Sequence, residues 1–355
     1  MAKAKTNNNA NQVSTTIFRK RLRKFRHLRR GWYSFIVLIT LYVLSFFLPL
    51  AVNNKALYVN YQGESYFPLL QFHDASEFGV EGYGEPDYRK LKQKLSADGT
   101  GYVVLPLYPY HPNESLLELP GEPPHAPSQE HWCGTDNRGR DVFARLVYGF
   151  RISISFALIV TAMTYTIGIS IGAMLGYFGG RFDIFMQRLI EIWSSMPYLY
   201  TIIIVTSILQ PEFFLLAFVL TLFGWMGMTY YVRGEFYREK AKDYVAAAIA
   251  IGANNRQIIF RHILPNALTP VVSFAPFAVV AYIGALVSLD FLGFGMAPPT
   301  PSWGQLVSQG MDDITSAPWL VLTPLTALFF TLLMVVFIGE AVREAFDPKV
   351  YSRLR

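Results

Sequence analysis

The sequence predicts an all-α membrane protein with six transmembrane helices and an irregular insertion between the first two. Its 355 residues are 52% hydrophobic and only 16% charged, whereas a soluble domain carries about 25% charged residues. Six apolar stretches are each long enough to cross a bilayer, which takes roughly 20 mostly apolar residues. Lysine and arginine collect on one side of these stretches, as membrane topology requires. This composition argues against a soluble enzyme and excludes a disordered chain.

The predicted spans follow one another along the chain. They are Trp32–Val52, Ile152–Tyr177, Leu189–Leu209, Phe213–Val232, Ala267–Phe294 and Trp319–Gly339. The spans divide the chain into a basic arm (1–30), a first helix (31–52), an insertion (53–141), a five-helix core (142–345) and a tail (346–355). The core includes the connection 233–266 between the fourth and fifth spans.

The orientation follows from the basic residues, which favour the cytoplasmic side. Residues 1–30 hold ten Lys and Arg and no Asp or Glu. The connection 233–266 is also rich in Lys and Arg, whereas residues 296–318 contain neither. Six spans therefore put both termini and the 233–266 connection in the cytoplasm and the insertion in the periplasm. We interpret the arm as a topology signal or lipid contact, not a nucleic-acid interface, because the remaining residues are net acidic.

The insertion is rich in Tyr, Pro and Glu and too polar for the membrane. Its prolines disfavour long helices, so we expect an irregular segment with short strands. Cys133 is the single cysteine, which excludes an intrachain disulfide. The irregular spacing of Cys133 and three nearby histidines predicts no metal site.

Several catalytic and energy-coupling motifs are missing from the sequence. No G-x-x-x-x-G-K-[ST] occurs, so the chain has no P-loop for ATP. No H-E-x-x-H or G-x-S-x-G occurs either. Ion-coupled carriers keep ionisable groups at mid-depth, whereas Glu191 and Asp290 lie near the ends of their predicted spans. We therefore expect a non-enzymatic chain with no cofactor and no energy coupling of its own.

The second predicted span carries glycines at intervals of four residues, Gly168, Gly172, Gly176 and Gly180. This interval puts them on one helix face, where the absence of side chains lets another helix approach closely. The spacing favours a helix-packing seam, and a substrate-lining role is the alternative.

A cytoplasmic segment combines a small-residue helix from Asp243, a turn at Gly252, a second helix, and Pro265 where a membrane span begins. Glycine takes backbone angles that other residues resist. Such a helical elbow lies outside the bilayer and is not needed to cross it. We therefore interpret it as a docking element for a cytoplasmic partner, and a solvated loop is the alternative.

These residues resemble the EAA loop of permease subunits of binding-protein-dependent ABC importers. Ala247 and Ala248 match its two alanines, Gly252 its glycine, and Leu264 and Pro265 its Leu-Pro end, whereas Ala246 replaces its glutamate. The resemblance implies an ATPase-coupling set made up of Ala247, Ala248, Gly252, His262, Leu264 and Pro265.

Other motifs are similar to the DppC/OppC group of peptide permeases. They are Gly134-Thr-Asp136, Gly139-Arg-Asp141, Gly176-Tyr-Phe-Gly-Gly-Arg-Phe-Asp183, Phe291-Leu-Gly-Phe-Gly295 and Asp347-Pro348. The insertion, including Tyr61–Leu70, resembles that of permeases from Yej-type importers of oligopeptides and microcin C.

The resemblance implies a type I ABC importer permease in the bacterial inner membrane that takes up oligopeptides by alternating access. Its implied partners are a second, B-type permease, one or two ABC ATPase chains that hold ATP and Mg, and a periplasmic peptide-binding protein. The alternative from another class is an ion-coupled secondary transporter or channel, which would need no ATPase.

Overall fold

The computed structural model describes residues 17–346, so the predictions for 1–16 and 347–355 lie outside the described residues. The helices are α1 (Ile17–His27), α2 (Arg29–Leu44), α3 (Leu48–Ala51), α4 (Tyr88–Asp98), α5 (Val142–Phe178), α6 (Gly180–Ser194), α7 (Tyr198–Ile208), α8 (Phe213–Lys240), α9 (Asp243–Ala250), α10 (Asn255–Gln257), α11 (Leu264–Phe291), α12 (Trp303–Asp312) and α13 (Trp319–Phe346). The strands are β1 (Tyr58–Tyr61), β2 (Glu64–Tyr66) and β3 (Gly101–Val104).

The membrane-spanning part confirms the predicted class. In the described residues, five helical stretches are long and apolar enough to cross a bilayer, and a sixth arises if the bent pair α6–α7 is one span. This pair bends by 65° between Ser194 and Tyr198. Pro197 lies in the break, where proline supplies no backbone donor. The predicted third span is therefore a broken helix that begins at Gly180, earlier than expected.

The long helices α5 and α8 form the central pair of the bundle, and α11 packs against α5 and α13. Phe156 and Val160 of α5 are buried against Leu216 and Leu220 of α8. The helix α13 also contacts α2 closely, since a Cβ on Gly31 would lie 2.2 Å from the Cβ of Ala341. Close backbone approach rather than hydrophobicity holds helices together in lipid.

The predicted glycine seam is present for three of its four members. A Cβ on Gly168, Gly172 or Gly176 would lie 2.5–2.7 Å from atoms of α8. The prediction is wrong for Gly180, because α5 ends at Phe178 and a tight turn follows. Gly180 has φ +60°, and a Cβ added there would have no neighbouring atom within 4 Å, so it belongs to the turn and not to the seam.

The insertion is more ordered than the sequence predicts. Its short strands form an antiparallel sheet in the order β2-β1-β3, and α4 packs on β3. Val59, Phe78, Leu91 and Leu95 form a core of their own between the sheet and α4. Asp87 caps α4 by accepting a hydrogen bond from the amide of Arg89 at 2.9 Å. The prolines lie outside α4, which explains why the average composition concealed this helix, whereas the short strands were expected.

Candidate coupling elbow

The segment 233–266, called the elbow, leaves the bundle at the end of α8 and returns through α11. Helix α9 runs from Asp243 to Ala250, and Gly252 then turns the chain with φ +85°. The side chain of Asn254 accepts a hydrogen bond from the amide of Gln257, and the side chain of Gln257 accepts one from the amide of Asn254. This capping box begins the second arm of the elbow, residues 254–264. It satisfies amide groups at the start of the helix that have no partner within the helix.

Apolar side chains fix the inner side of the elbow. Val245 and Ala248 of α9 and Ile258 of the second arm are almost completely buried. Val245 and Ile258 pack against Phe236 at the end of α8 and Tyr177 at the end of α5. Burial of such side chains is worth about 1.5–3 kcal/mol each. The elbow is therefore a folded projection, not a solvated loop.

Polar contacts hold the elbow base, residues 233–244, in place against the bundle. Asp183 of α6 accepts two hydrogen bonds from Arg233, both at 2.6 Å, and a third from Tyr237 at 2.8 Å. Tyr244 donates to Glu239 at 2.8 Å. Burial and this hydrogen bond raise the pKa of Tyr244, which keeps it a neutral donor.

The six predicted coupling residues occupy both arms of the elbow. Ala247 and Gly252 are exposed, Ala248 is buried, and Pro265 is exposed at the start of α11. His262 and Leu264 are half-buried in the second arm. The position of the missing glutamate, Ala246, lies on the exposed side. The structure therefore brings these residues together in one projection, with one alanine in its core and one on its surface.

The sequence reasoning missed three large apolar side chains on the same projection. Ile249 is 55% exposed, Ile251 is 85% exposed and Phe260 is 62% exposed. No sequence signal distinguished them, because large apolar residues are usually buried and only the packing of the elbow shows which ones stay exposed. Ala246 and Ala247 are also exposed apolar residues of the elbow, and we call these five residues the elbow tip.

The opposite end of the bundle holds a buried polar cluster around two carboxylates, which we call the outer latch (residues 131–145). Asp136 accepts hydrogen bonds from the amides of Arg138 and Arg140 at 2.9 Å and from the Arg140 guanidinium at 2.8 Å. The Arg145 side chain is fully buried, with its Nε 3.7 Å from the Asp136 carboxylate, and donates to the carbonyl of Pro112.

The second carboxylate of the outer latch joins the insertion to the core. Asp141 caps α5 by accepting from the amide of Ala144 at 2.8 Å. It also accepts from the hydroxyl of Tyr108 at 2.7 Å and lies 2.9 Å from Nδ1 of His131. Burial and the bond to Asp141 raise the pKa of Tyr108. The GTD–GRD motif is therefore a structural junction with its polar groups turned inward.

Residues 168–352 match the family model of the binding-protein-dependent transport system inner membrane component. The chain is 42% identical to the inner membrane ABC transporter permease protein YejE of Escherichia coli (strain K12), over 92% of this chain and 95% of the relative. It is 38% identical to the peptidoglycan transport system permease protein YejE of Agrobacterium fabrum, with 93% of each covered. It is also 38% identical to the oligopeptide transport system permease protein OppC of Haemophilus influenzae, over 63% of this chain and 73% of the relative.

The family match covers more than half of the 355 residues, and both YejE proteins align with more than nine tenths of the chain. The resemblance found in the sequence is thereby confirmed, with the OppC protein aligned over a smaller part. The chain belongs to the family of inner-membrane components of binding-protein-dependent transport systems, as a permease subunit of an ABC transporter rather than an ATPase.

Proposed function

We propose that this chain forms one half of the membrane path of a peptide importer and that its elbow receives movement from an ABC ATPase. The relatives support the cargo class, because one is named for peptidoglycan transport and another for oligopeptide transport. Peptide linkages are common to both molecules. A second, B-type permease would supply the other half of the path, and a periplasmic peptide-binding protein would deliver the cargo.

The exposed elbow tip is the observation that carries this proposal. Its apolar side chains project from a folded, anchored segment, with Ile251 85% exposed. An exposed apolar patch of this kind marks a site of protein association. An ATPase subunit that holds ATP and Mg fits this position, because the chain itself has no P-loop.

The placement of the basic segments supports a cytoplasmic position for the elbow and both termini. Arg21 of α1 donates to Thr269 near the start of α11 and lies over the ring of Phe346 at the end of α13. Helix α1, the elbow base and the end of α13 thus lie at one end of the bundle. Excess Lys and Arg favour the cytoplasmic side of a membrane.

In alternating access, the path is open either to the outside or to the cytoplasm, and both the ATPase and the cargo shift the equilibrium between these two states. A ligand shifts such an equilibrium only by its different affinity for the two states. ATP-driven closure of the ATPase would move the two elbows together and open the path outward, and hydrolysis would reset it. The locks at Asp183 and Glu239 suit this role, since a transmitted movement needs an elbow that moves with its helices.

The substitution Ile251→Glu in the assembled importer tests this function. The charge would have to be buried in the contact with the ATPase, which is costly without a partner. We expect at least a tenfold drop in peptide uptake and loss of the ATPase from complexes purified through this chain, with an unchanged amount of chain in the membrane. The matched control is Leu117→Glu, because Leu117 is 81% exposed at the opposite end.

Normal uptake and normal ATPase retention by Ile251→Glu, equal to those of Leu117→Glu, would contradict the coupling role of the elbow tip. Uptake that follows an ion gradient and continues when ATP is depleted would instead favour the ion-coupled secondary transporter or channel. Uptake of neither oligopeptides nor peptide-bearing cell-wall fragments by an intact complex would contradict the cargo class alone.

A further inference from the structure

A cavity of about 730 Å³ opens beside the elbow base, where α1, α8, α11 and α13 meet. We call it the basal cavity. Its lining includes four basic side chains, Arg21, Arg238, Lys242 and Arg343, and Tyr231 and Phe274 are two of its four aromatic ones. It is separate from the elbow tip, because none of the five elbow-tip residues lines it.

The rim of the basal cavity carries an excess of positive charge. Glu239 is the one acidic side chain among the described residues of its lining. Glu239 pairs with Lys242 at 2.6 Å, and Glu235 pairs with Arg238. The Nε of Arg21 is buried and has no hydrogen-bond partner among the described residues. An unpaired guanidinium donor costs free energy, and an anion that accepts from it would remove that cost.

The polarity of the cavity changes with depth. Asn266 and Thr269 line it near the start of α11, and Phe274 lines it further along the same helix. At about 1.5 Å of rise per residue, the distance along the helix from Asn266 to Phe274 is about 12 Å. Tyr231 packs edge to face on Phe274 with 4.9 Å between ring centroids. The cavity thus has a basic rim and an aromatic floor directed toward the membrane interior.

We propose that the basal cavity binds an anionic phospholipid, with the phosphate at Arg21 and the upper acyl chain against Tyr231 and Phe274. A basic pocket between transmembrane helices at the membrane surface is suited to an anionic headgroup. The aromatic floor favours a lipid over free phosphate, because inorganic phosphate would leave that apolar surface unfilled. The lipid would hold α1 against the elbow base, so that anionic lipid strengthens coupling between ATP hydrolysis and uptake.

The binding test uses the assembled importer in mild detergent. Phosphatidylglycerol is titrated into delipidated complex and counted by native mass spectrometry, with phosphatidylcholine as the neutral comparison. We expect one phosphatidylglycerol retained per copy of this chain, and about a fivefold or greater loss of its affinity in Arg21→Gln, equivalent to about 1 kcal/mol. The matched control is Arg19→Gln, since Arg19 is an exposed arginine on the same helix.

Three outcomes would overturn the proposal. The first is equal retention of phosphatidylglycerol by Arg21→Gln and Arg19→Gln. The second is displacement of the lipid by a few equivalents of inorganic phosphate, which would show a free-anion site. The third is a labelling pattern in which photoactivatable phosphatidylglycerol reacts with the outer surface of the helices but not with Tyr231, Ser273 or Phe274. This experiment uses the unmodified complex, so its result does not depend on how a variant folds.

The functional readout separates lipid binding from the coupling role of the elbow tip. In proteoliposomes of pure phosphatidylcholine, we expect fewer peptides imported per ATP hydrolysed, and added phosphatidylglycerol should restore the ratio. Arg21→Gln should lose this restoration but keep the ATPase bound, whereas Ile251→Glu loses the ATPase itself. An Arg21→Gln complex that responds to phosphatidylglycerol as Arg19→Gln does would contradict the proposed effect on coupling.

Discussion

The elbow and the outer latch lie at opposite ends of the same helices and place their side chains in opposite ways. The outer latch turns its charges inward, with Asp136, Asp141 and Arg145 all at 0% exposure. The elbow turns apolar side chains outward, with Ile251 at 85% exposure. Buried, paired charges fix one geometry, because a group that loses its partner is strongly destabilising. Exposed apolar groups have no partner within the chain and are available to another protein.

This contrast separates two kinds of motif that look alike in a sequence. The GTD–GRD residues and the elbow residues both resemble family signatures, yet the GTD–GRD carboxylates are buried whereas the elbow exposes apolar side chains. Changes in the outer latch should therefore lower the amount of folded chain. Changes in the elbow should lower transport at an unchanged amount of chain.

The largest effect is expected from Asp136→Ala in the outer latch. The change removes the acceptor for two amides and leaves the guanidinium groups of Arg140 and Arg145 buried without their carboxylate. Breaking a buried ion pair in this way costs about 3–5 kcal/mol of unfolding free energy. We expect little chain in the membrane, measured by quantitative immunoblot.

The matched control is Asp98→Ala, which removes an exposed carboxylate from the end of α4 in the same insertion. It should accumulate as the unmodified chain does. Equal amounts of the Asp136→Ala and Asp98→Ala chains would break the comparison, because the outer latch would then contribute nothing measurable to folding.

The next effect is expected from Gly252→Pro, which should abolish peptide uptake while the chain stays in the membrane. Gly252 has φ +85°, and its amide donates to the carbonyl of Ile249 at 3.0 Å. Proline has no such amide and fixes φ near about −65°, so the turn cannot form. Uptake of a labelled peptide, normalised to the chain in the membrane, measures the loss.

Gly121→Pro provides the control at the opposite end, since Gly121 also has a positive φ of 94° and open space around it. It lies in the irregular part of the insertion, and we expect its uptake to stay within about twofold of normal, under 1 kcal/mol by the usual conversion. Normal uptake by Gly252→Pro would contradict the coupling assignment of the elbow.

The smallest effect is expected from Asp183→Asn, which weakens the lock between α6 and the elbow base. The change removes the charge that accepts two hydrogen bonds from Arg233. Hydrogen bonds to charged groups are worth about 1.5–3 kcal/mol, and partial exposure of Arg233 places the cost at the lower end of that range. Hydrogen exchange should speed up in residues 233–241, and peptides imported per ATP should fall.

Glu191→Gln is the matched control, because Glu191 pairs with Arg188 on the same helix while both side chains are at least 50% exposed. Such an exposed pair contributes about 0–1 kcal/mol. If Glu191→Gln accelerates exchange in the elbow as much as Asp183→Asn does, the Asp183 lock is not what holds the elbow to the bundle.

The sequence predicted the elbow better than it predicted the insertion, for a local reason. Gly252, the flanking helices and Pro265 act through short-range backbone preferences that a sequence displays directly. The core of the insertion joins Val59 to Leu91 and Leu95, which are far apart along the chain. Composition averages over such segments, so the helix in 88–98 was hidden by prolines outside it.

The sequence by itself determined the membrane class, the apolar spans and the family, because span length, charge placement and motif order are properties of the chain in one dimension. Tertiary structure alone decided which small residues are packed and which are exposed. A Cβ added to Gly176 would lie against Phe236, whereas a Cβ added to Gly180 would have no neighbour within 4 Å. Similarly, Ala248 is buried whereas Ala247 is exposed. These outcomes depend on which helix lies opposite, and a repeat of four residues cannot specify where a helix ends or what packs against it.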